Sequence, residues 1–355
     1  MLKLIRFLMI CARHRFILLG ILLLSFGNSY ADEGMWLPLL LEKLNQRDMQ
    51  MKGLKITARD IYDVNHSSLK DAIVQFGGGC TAEVVSDQGL LLTNHHCGYG
   101  YIQRHSSVQQ NYLEEGFWAR TLEDELPCTG LKVSFLIEMR DVSQTILENL
   151  TPEMNEKTRA KTISQISGQI TKEAIQGTHY QAEIEPFYNG NQFYLFIYEI
   201  FRDVRLVGAP PSSIGKFGGD TDNWMWPRHT GDFSVFRIYA DANNLPADYS
   251  PNNRPYQPRR FLPISLKGIE KGDFTFVYGY PGSTREYLPS FVIRSITEQQ
   301  NPVRIHLRDI RLRIMDEYMQ VNKTICIQYA SKSAGLANGW KKWTGENRGI
   351  TRINA

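Results

Sequence analysis

Short runs crowded with β-branched and aromatic residues, each closed by turn-forming residues, fill the middle of the chain and predict strands. The runs are Ala72–Phe76, Thr81–Ser86, Leu90–Thr93, Val133–Met139, Gln192–Val207, Phe233–Tyr239 and Phe274–Tyr278. Asp87-Gln88-Gly89 supplies a turn, so Thr81–Ser86 and Leu90–Thr93 read as one hairpin. Ala209-Pro210-Pro211 stops the longest run, and Gly279-Tyr280-Pro281-Gly282 turns the last. Elsewhere the spacing becomes helical. Leu37, Leu40, Leu41 and Leu44 predict a short helix, and Met154, Ala160, Ile163, Ile166 and Ile170 a longer one ending near Gly177. The latter starts at Thr151 as N-cap, with Pro152 in the first helical position. A third stripe runs through Val303, Leu307, Ile310, Ile314, Tyr318 and Val321. The pattern is mainly β with α: a barrel or sandwich over 32–284, a helical insertion near 151–177, and the start of a helical domain over 285–355. That last domain begins an apolar face without supplying its partners, so a truncated domain is expected.

The first 31 residues stand apart. Lys3, Arg6, Arg13 and Arg15 precede the apolar run Phe16–Phe26, and Ser29-Tyr30-Ala31 offers a small-residue cleavage site. A secretory signal is the expectation, with no stable membrane span after its removal. The segment carries four basic and no acidic residues, so the net charge of +3 becomes −1 for the mature chain, by 3 − 4. That balance gives no footprint for nucleic acid. Export also bears on the cysteines: Cys80, Cys97, Cys128 and Cys326 remain, and an oxidising compartment favours disulfides over redox or metal motifs.

Cys80 and Cys97 bracket the hairpin and are expected to pair, with Cys128 and Cys326 left open. Gly77-Gly78-Gly79 lets the chain turn sharply before Cys80; neither a Lys-Ser/Thr pair nor a helix start follows, so a phosphate loop is excluded. His96 directly precedes Cys97, and an imidazole fixed at a strand end by such a clamp suits a general base. A zinc site from His95, His96 and Cys97 is the weaker alternative, because neighbours on a strand face opposite ways. Asp232 opens the strand Phe233–Tyr239 and is the carboxylate chosen to orient the base, over Asp220 and Asp222.

The segments GGGC and TNHHCGYG around His96, together with FGGDTDNWMWPRHTGDFSVFR around Asp232, resemble the bacterial serine dipeptidyl peptidases 7 and 11. The resemblance covers essentially all of Asp32–Ala355, aligned with the family's amino-terminal half. It implies a chymotrypsin-like double β-barrel, here incomplete, with a large helical domain inserted. It implies His96 as general base, Asp232 as its orienting carboxylate, and Asn223, Trp224 and Asn338 as the residues that hold a substrate's free amino terminus. No metal and no organic cofactor is implied.

The expected function is therefore an exported serine-type dipeptidyl aminopeptidase of a Gram-negative periplasm or cell surface, acting on oligopeptides and open to homodimerisation. The nucleophilic serine of the family is not in this sequence. Ser283 is the nearest lookalike, but it lacks the glycine pattern of an oxyanion hole and reads as a turn residue. Two rivals follow from that gap: a non-catalytic module that binds peptide amino termini, and an inactive truncated gene product. An endopeptidase is a further variant within the enzyme class.

Overall fold

A computed structural model describes residues 35–282, 285 and 287–353. The secretory signal expected at 1–31 and the lookalike Ser283 lie outside the described residues. The predicted hairpin is present: β1 (Ile73–Phe76), β2 (Cys80–Val84) and β3 (Leu90–Thr93) are consecutive antiparallel neighbours, and Gly89 turns with φ +65°. Helix α1 (His95–Arg104) follows β3 immediately. Then come β4 (Phe117–Trp118), β5 (Leu126–Pro127) and β6 (Val133–Asp141). Helix α2 (Glu156–Ala174), β7 (Gln181–Phe187), β8 (Gln192–Phe201), β9 (Asp203–Ala209), β10 (Ser234–Ala240) and β11 (Arg254–Pro255) continue the chain. Two long helices, α3 (Asn301–Val321) and α4 (Lys323–Ile353), close it.

The strands form one antiparallel sheet in the order β4-β9-β10-β3-β2-β1-β6-β8-β7, with β5 on β9 and β11 on β10. The single strand expected over Gln192–Val207 is two strands, broken at Arg202. This break shapes the molecule. β8 and β9 are joined through one residue yet have five strands between them in the sheet, so the sheet must curl until its ends approach. Side chains from all round that curl fill one core, including Val74, Phe76, Leu91, Phe135, Phe201, Leu206, Phe236 and Tyr256. Each is at most 6% exposed, which makes the interior a packed core and not a channel.

Three other expectations shift. Phe274–Tyr278 is not a strand among the described residues; Phe274 and Tyr278 pack on Leu41, Met49, Leu54, Ala58 and Ile61 instead. The early helix is two short pieces, Pro38–Leu40 and Leu41–Leu44, with Leu41 buried and Leu44 exposed. The insertion helix starts at Asn155, not Thr151. The Asn155 side chain accepts from the Thr158 amide at 2.9 Å, and Met154 falls outside the helix. Its Ile163, Ile166 and Ile170 do pack on Val142, Ile146, Phe193 and Ile197, covering that end of the sheet.

α3 and α4 pack along each other through polar and cationic contacts. Arg304 and Arg308 lie 5.2 and 4.2 Å over the Trp343 ring, and buried Asn301 bonds Glu346 and Asn347. Most of the stripe predicted as the packing face is turned away: Val303, Leu307, Ile314, Tyr318 and Val321 are exposed, and only Ile310 is half-buried. Among the described residues, no helix is long and apolar enough to cross a membrane.

Candidate active site

His96 does not sit at a strand end, as its sequence position suggests, but in the first turn of α1, three residues after β3 stops. Asn94 caps that helix through its backbone alone; its side chain makes no capping bond. Asp232 takes over the task from 136 residues away. Its Oδ1 accepts from the His96 amide at 3.0 Å, and its Oδ2 lies 2.8 Å from His96 Nδ1. The Asn94 side chain donates to the Asp232 carbonyl at 3.2 Å and to Oδ2 at 3.3 Å. A carboxylate at a helix amino terminus also meets the positive end of the helix dipole.

Burial opposes ionisation of Asp232, but the His96 bonds and charge, with Arg228 beyond, outweigh it and hold the carboxyl below its usual range. Asp232 is thus an anion that fixes the proton of the His96 ring on Nδ1 and leaves Nε2 as acceptor. The His96 side chain is 68% exposed and Asp232 16% exposed, so the base faces solvent while its partner stands behind it. Both line a cleft of about 930 Å³, walled by Thr93 on one side and by Phe274, Phe276 and Tyr278 on the other.

The sulfurs of Cys80 and Cys97 are within bonding distance, with Cα atoms 6.2 Å apart, so the start of β2 and the first turn of α1 approach closely there. Gly98 allows the fit, since a Cβ there would stand 2.8 Å from Ser234 Oγ and 3.0 Å from the Phe236 ring. The zinc set His95, His96 and Cys97 is not assembled. His95 is buried away from the cleft residues, against Tyr99 and under Gly215, where a Cβ would come within 2.4 Å of the ring.

The three residues expected to hold an amino terminus do meet. Asn338 Oδ1, on α4, accepts from Asn223 Nδ2 at 2.9 Å and from Trp224 Nε1 at 3.0 Å. Those two donors fill its lone pairs, leaving Asn223 Oδ1, 3.5 Å from Arg228, as the side-chain acceptor still open to a ligand. Trp224 is held at φ +59°, a region costly for a bulky residue, and Lys342 lies 5.7 Å over its ring. α4 reaches this point because it docks on α1: Gln103 donates to the Gln328 carbonyl at 2.8 Å and accepts from the Ser331 amide at 2.9 Å.

Sequence reasoning missed Asn94, Ser234, Gln103 and Arg228. Ser234 donates to the Asn94 carbonyl at 2.9 Å, so it fixes the turn on which His96 stands. Asn94 and Arg228 lie inside the motifs already singled out, which was the available signal. Gln103 gave none.

His95 carries a testable consequence. Burial holds its pKa below the ordinary imidazole value, against Asp232 and a bond to the Pro210 backbone, and burial does the same to His105. An imidazole depressed in the fold binds protons more readily once unfolded. Its contribution is complete above the unfolded pKa of about 6.5 and is lost as pH falls from there towards the folded value. The urea midpoint should therefore drop between pH 7.5 and pH 5.5. A midpoint constant over that interval would refute neutral burial of these rings.

A carboxylate-braced histidine at a cleft is an arrangement that can serve a general base. The sequence matches the profile of the family described as Peptidase S46 over residues 31–355. The chain belongs to that family. It is 53% identical over 335 residues to the Asp/Glu-specific dipeptidyl-peptidase of Capnocytophaga gingivalis, covering 94% of this chain and 47% of the relative. It is 45% identical to dipeptidyl-peptidase 7 of the same organism, covering 89% and 44%. Porphyromonas endodontalis DPP11, solved in complex with the dipeptide Arg-Asp, superposes with a TM-score of 0.86 at 46% identity. That match covers 91% of this chain and 47% of the solved one, so the chain spans about half the length of the relatives it matches.

Proposed function

We propose that this chain supplies the base, its carboxylate and the amino-terminus clamp of an exported serine-type dipeptidyl peptidase. In this reading the nucleophilic serine and the second barrel of a chymotrypsin-like fold lie in sequence outside these 355 residues. Serine attacks the carbonyl of the substrate's second residue, His96 Nε2 takes the hydroxyl proton and returns it to the leaving amine, and water then releases the dipeptide. Asp232 stays ionised throughout and stabilises the imidazolium. The single observation that carries this is the bond between Asp232 Oδ2 and His96 Nδ1 at the edge of a cleft.

The clamp explains why two residues would be removed at a time. A substrate ammonium bound at Asn223 Oδ1 becomes a fixed distance marker from the base, and a charge-assisted hydrogen bond there contributes about 1.5–3 kcal/mol. A pure binding module would need the clamp but not a base held by an ionised carboxylate, which favours the enzyme. Asp/Glu-specific relatives range from 53% to 45% identity and dipeptidyl-peptidase 7 relatives stand at 45%, so the two highest matches lean towards an acidic second residue.

The experiment is chromogenic dipeptide release by the full-length protein. Substrates with a free amino terminus and Asp or Glu second should turn over, and blocked ones should not. Asn223→Ala should raise KM for free substrates about 10- to 100-fold with a smaller change in kcat. Equal cleavage of blocked and free substrates would sink the exopeptidase assignment.

A further inference from the structure

Cys80, His96 and Cys97 bring two sulfurs and one imidazole nitrogen within 4.8 Å of one another. While the sulfurs are paired, a soft cation finds a single imidazole there. Reduction changes the donor set. A phosphine reductant gives two electrons to the S–S bond and takes the oxygen of a water molecule to become its oxide; the two protons of that water go to the sulfurs, which are released as thiols. Two thiols and an imidazole are three of the four donors of a tetrahedral zinc site. With Zn–S near 2.3 Å and Zn–N near 2.0 Å, such donors stand roughly 3.5–3.8 Å apart, so side-chain shifts of about an ångström complete the set.

The scaffold around the three donors does not depend on the sulfur bond. Cys80 is laddered to Phe76 at the start of β2, and Thr93 Oγ1 donates to the Thr81 carbonyl at 2.7 Å. On the other side, Asp232 binds the His96 amide, and Ser234 binds the Asn94 carbonyl. Asp232 also supplies what a metal-binding histidine requires, a carboxylate on one ring nitrogen that fixes the tautomer and raises the basicity of the other. All three donors are open to solvent, Cys80 and Cys97 in part and His96 largely.

We propose that the Cys80–Cys97 pair gates a metal site: once reduced, Cys80, Cys97 and His96 capture a zinc-class divalent cation, with water as the fourth ligand. Binding displaces the two thiol protons. It also occupies the imidazole, so on the reading given under Proposed function a captured metal removes the general base. Reductive stress and zinc together would then silence a site that either leaves active.

The test is made on this chain with Cys11, Cys128 and Cys326 replaced by serine, phosphine-reduced, freed of reductant and titrated with cobalt(II) under argon. Reduction should expose two additional thiols, and the reduced form should then bind one cobalt with sulfur-to-metal absorption that zinc abolishes. The oxidised form should show none. His96→Ala should weaken zinc binding by about tenfold or more, as loss of a direct donor costs at least what loss of an outer-shell partner does. Cobalt binding equal in the two redox forms, or unchanged affinity in His96→Ala, overturns the proposal. Loss of the native circular dichroism on reduction overturns it as well, because the donors need β2 and α1 in place. None of these readouts involves turnover, so they fail or succeed independently of the peptidase assignment.

Discussion

His96→Ala in the full-length protein is expected to lower kcat for dipeptide release by on the order of 10⁶ while leaving substrate binding nearly intact. The asymmetry follows from where the side chain stands. It reaches solvent at the cleft, and its described side-chain bond runs to Asp232, so its removal leaves no core cavity and no broken ladder. On the proposed mechanism, what disappears is the acceptor that takes the proton of the attacking hydroxyl, and members of such a unit fail together. Peptide affinity should persist because Asn223, Trp224 and Asn338 bond one another and not His96. Stopped-assay turnover and equilibrium peptide binding, measured on the same variant, check both halves. A variant that retains turnover within tenfold of the parent would remove His96 from the mechanism.

The local half of this picture was legible in the sequence; of the long-range half, the approach of Asp232 to His96 was, and most of the rest was not. The hairpin from β2 to β3 announced itself because turn chemistry at Asp87-Gln88-Gly89 and β-branched flanks act over a few residues. Asn155 displaced Thr151 as the helix cap because both residue types can cap, and the choice rests on which amide is in reach. The break at Arg202 was invisible for a different reason. A run of aromatic and β-branched residues states strand propensity but not which neighbour each half pairs with, and here β8 joins β6 and β7 while β9 joins β10. The clamp residues came from resemblance alone; nothing in the spacing of Asn223 and Asn338, 115 residues apart, predicts that their amides bond.

Those long-range contacts share one anchor, α1. Its amino end carries His96 and receives Asp232, while Gln103 near its other end seats α4, which presents Asn338 to the loop ahead of β10. His96 and Asn338 are thus both referenced to the same ten-residue helix, the first directly and the second through α4 docked near its other end. A peptidase that counts two residues from an amino terminus needs a fixed separation between them. The exposed placement of the clamp fits the same need, since a ligand must displace only the long Arg228 contact to reach Asn223 Oδ1.

Asp232→Asn isolates the electronic part of this arrangement from its geometry, and its expected cost is a fall in kcat of about 10⁴. The amide is nearly isosteric, so the bond from the His96 backbone N–H can still be accepted by the remaining oxygen and the helix start is kept. The change lies at the other atom. Where Oδ2 accepts from His96 Nδ1, an amide nitrogen would donate, and the ring can answer only by moving its proton to Nε2. A base protonated at Nε2 cannot take a proton from a hydroxyl in the cleft, and no anion remains to stabilise the imidazolium. Two measurements separate this from simple misfolding. Nitrogen-15 shifts of the His96 ring in this chain should report the Nδ1–H form in the parent and the Nε2–H form in the variant, with the amide spectrum elsewhere unchanged. Turnover of the full-length variant should fall with little change in KM. An unchanged tautomer together with unchanged turnover would show that Asp232 serves α1 as a cap and nothing more.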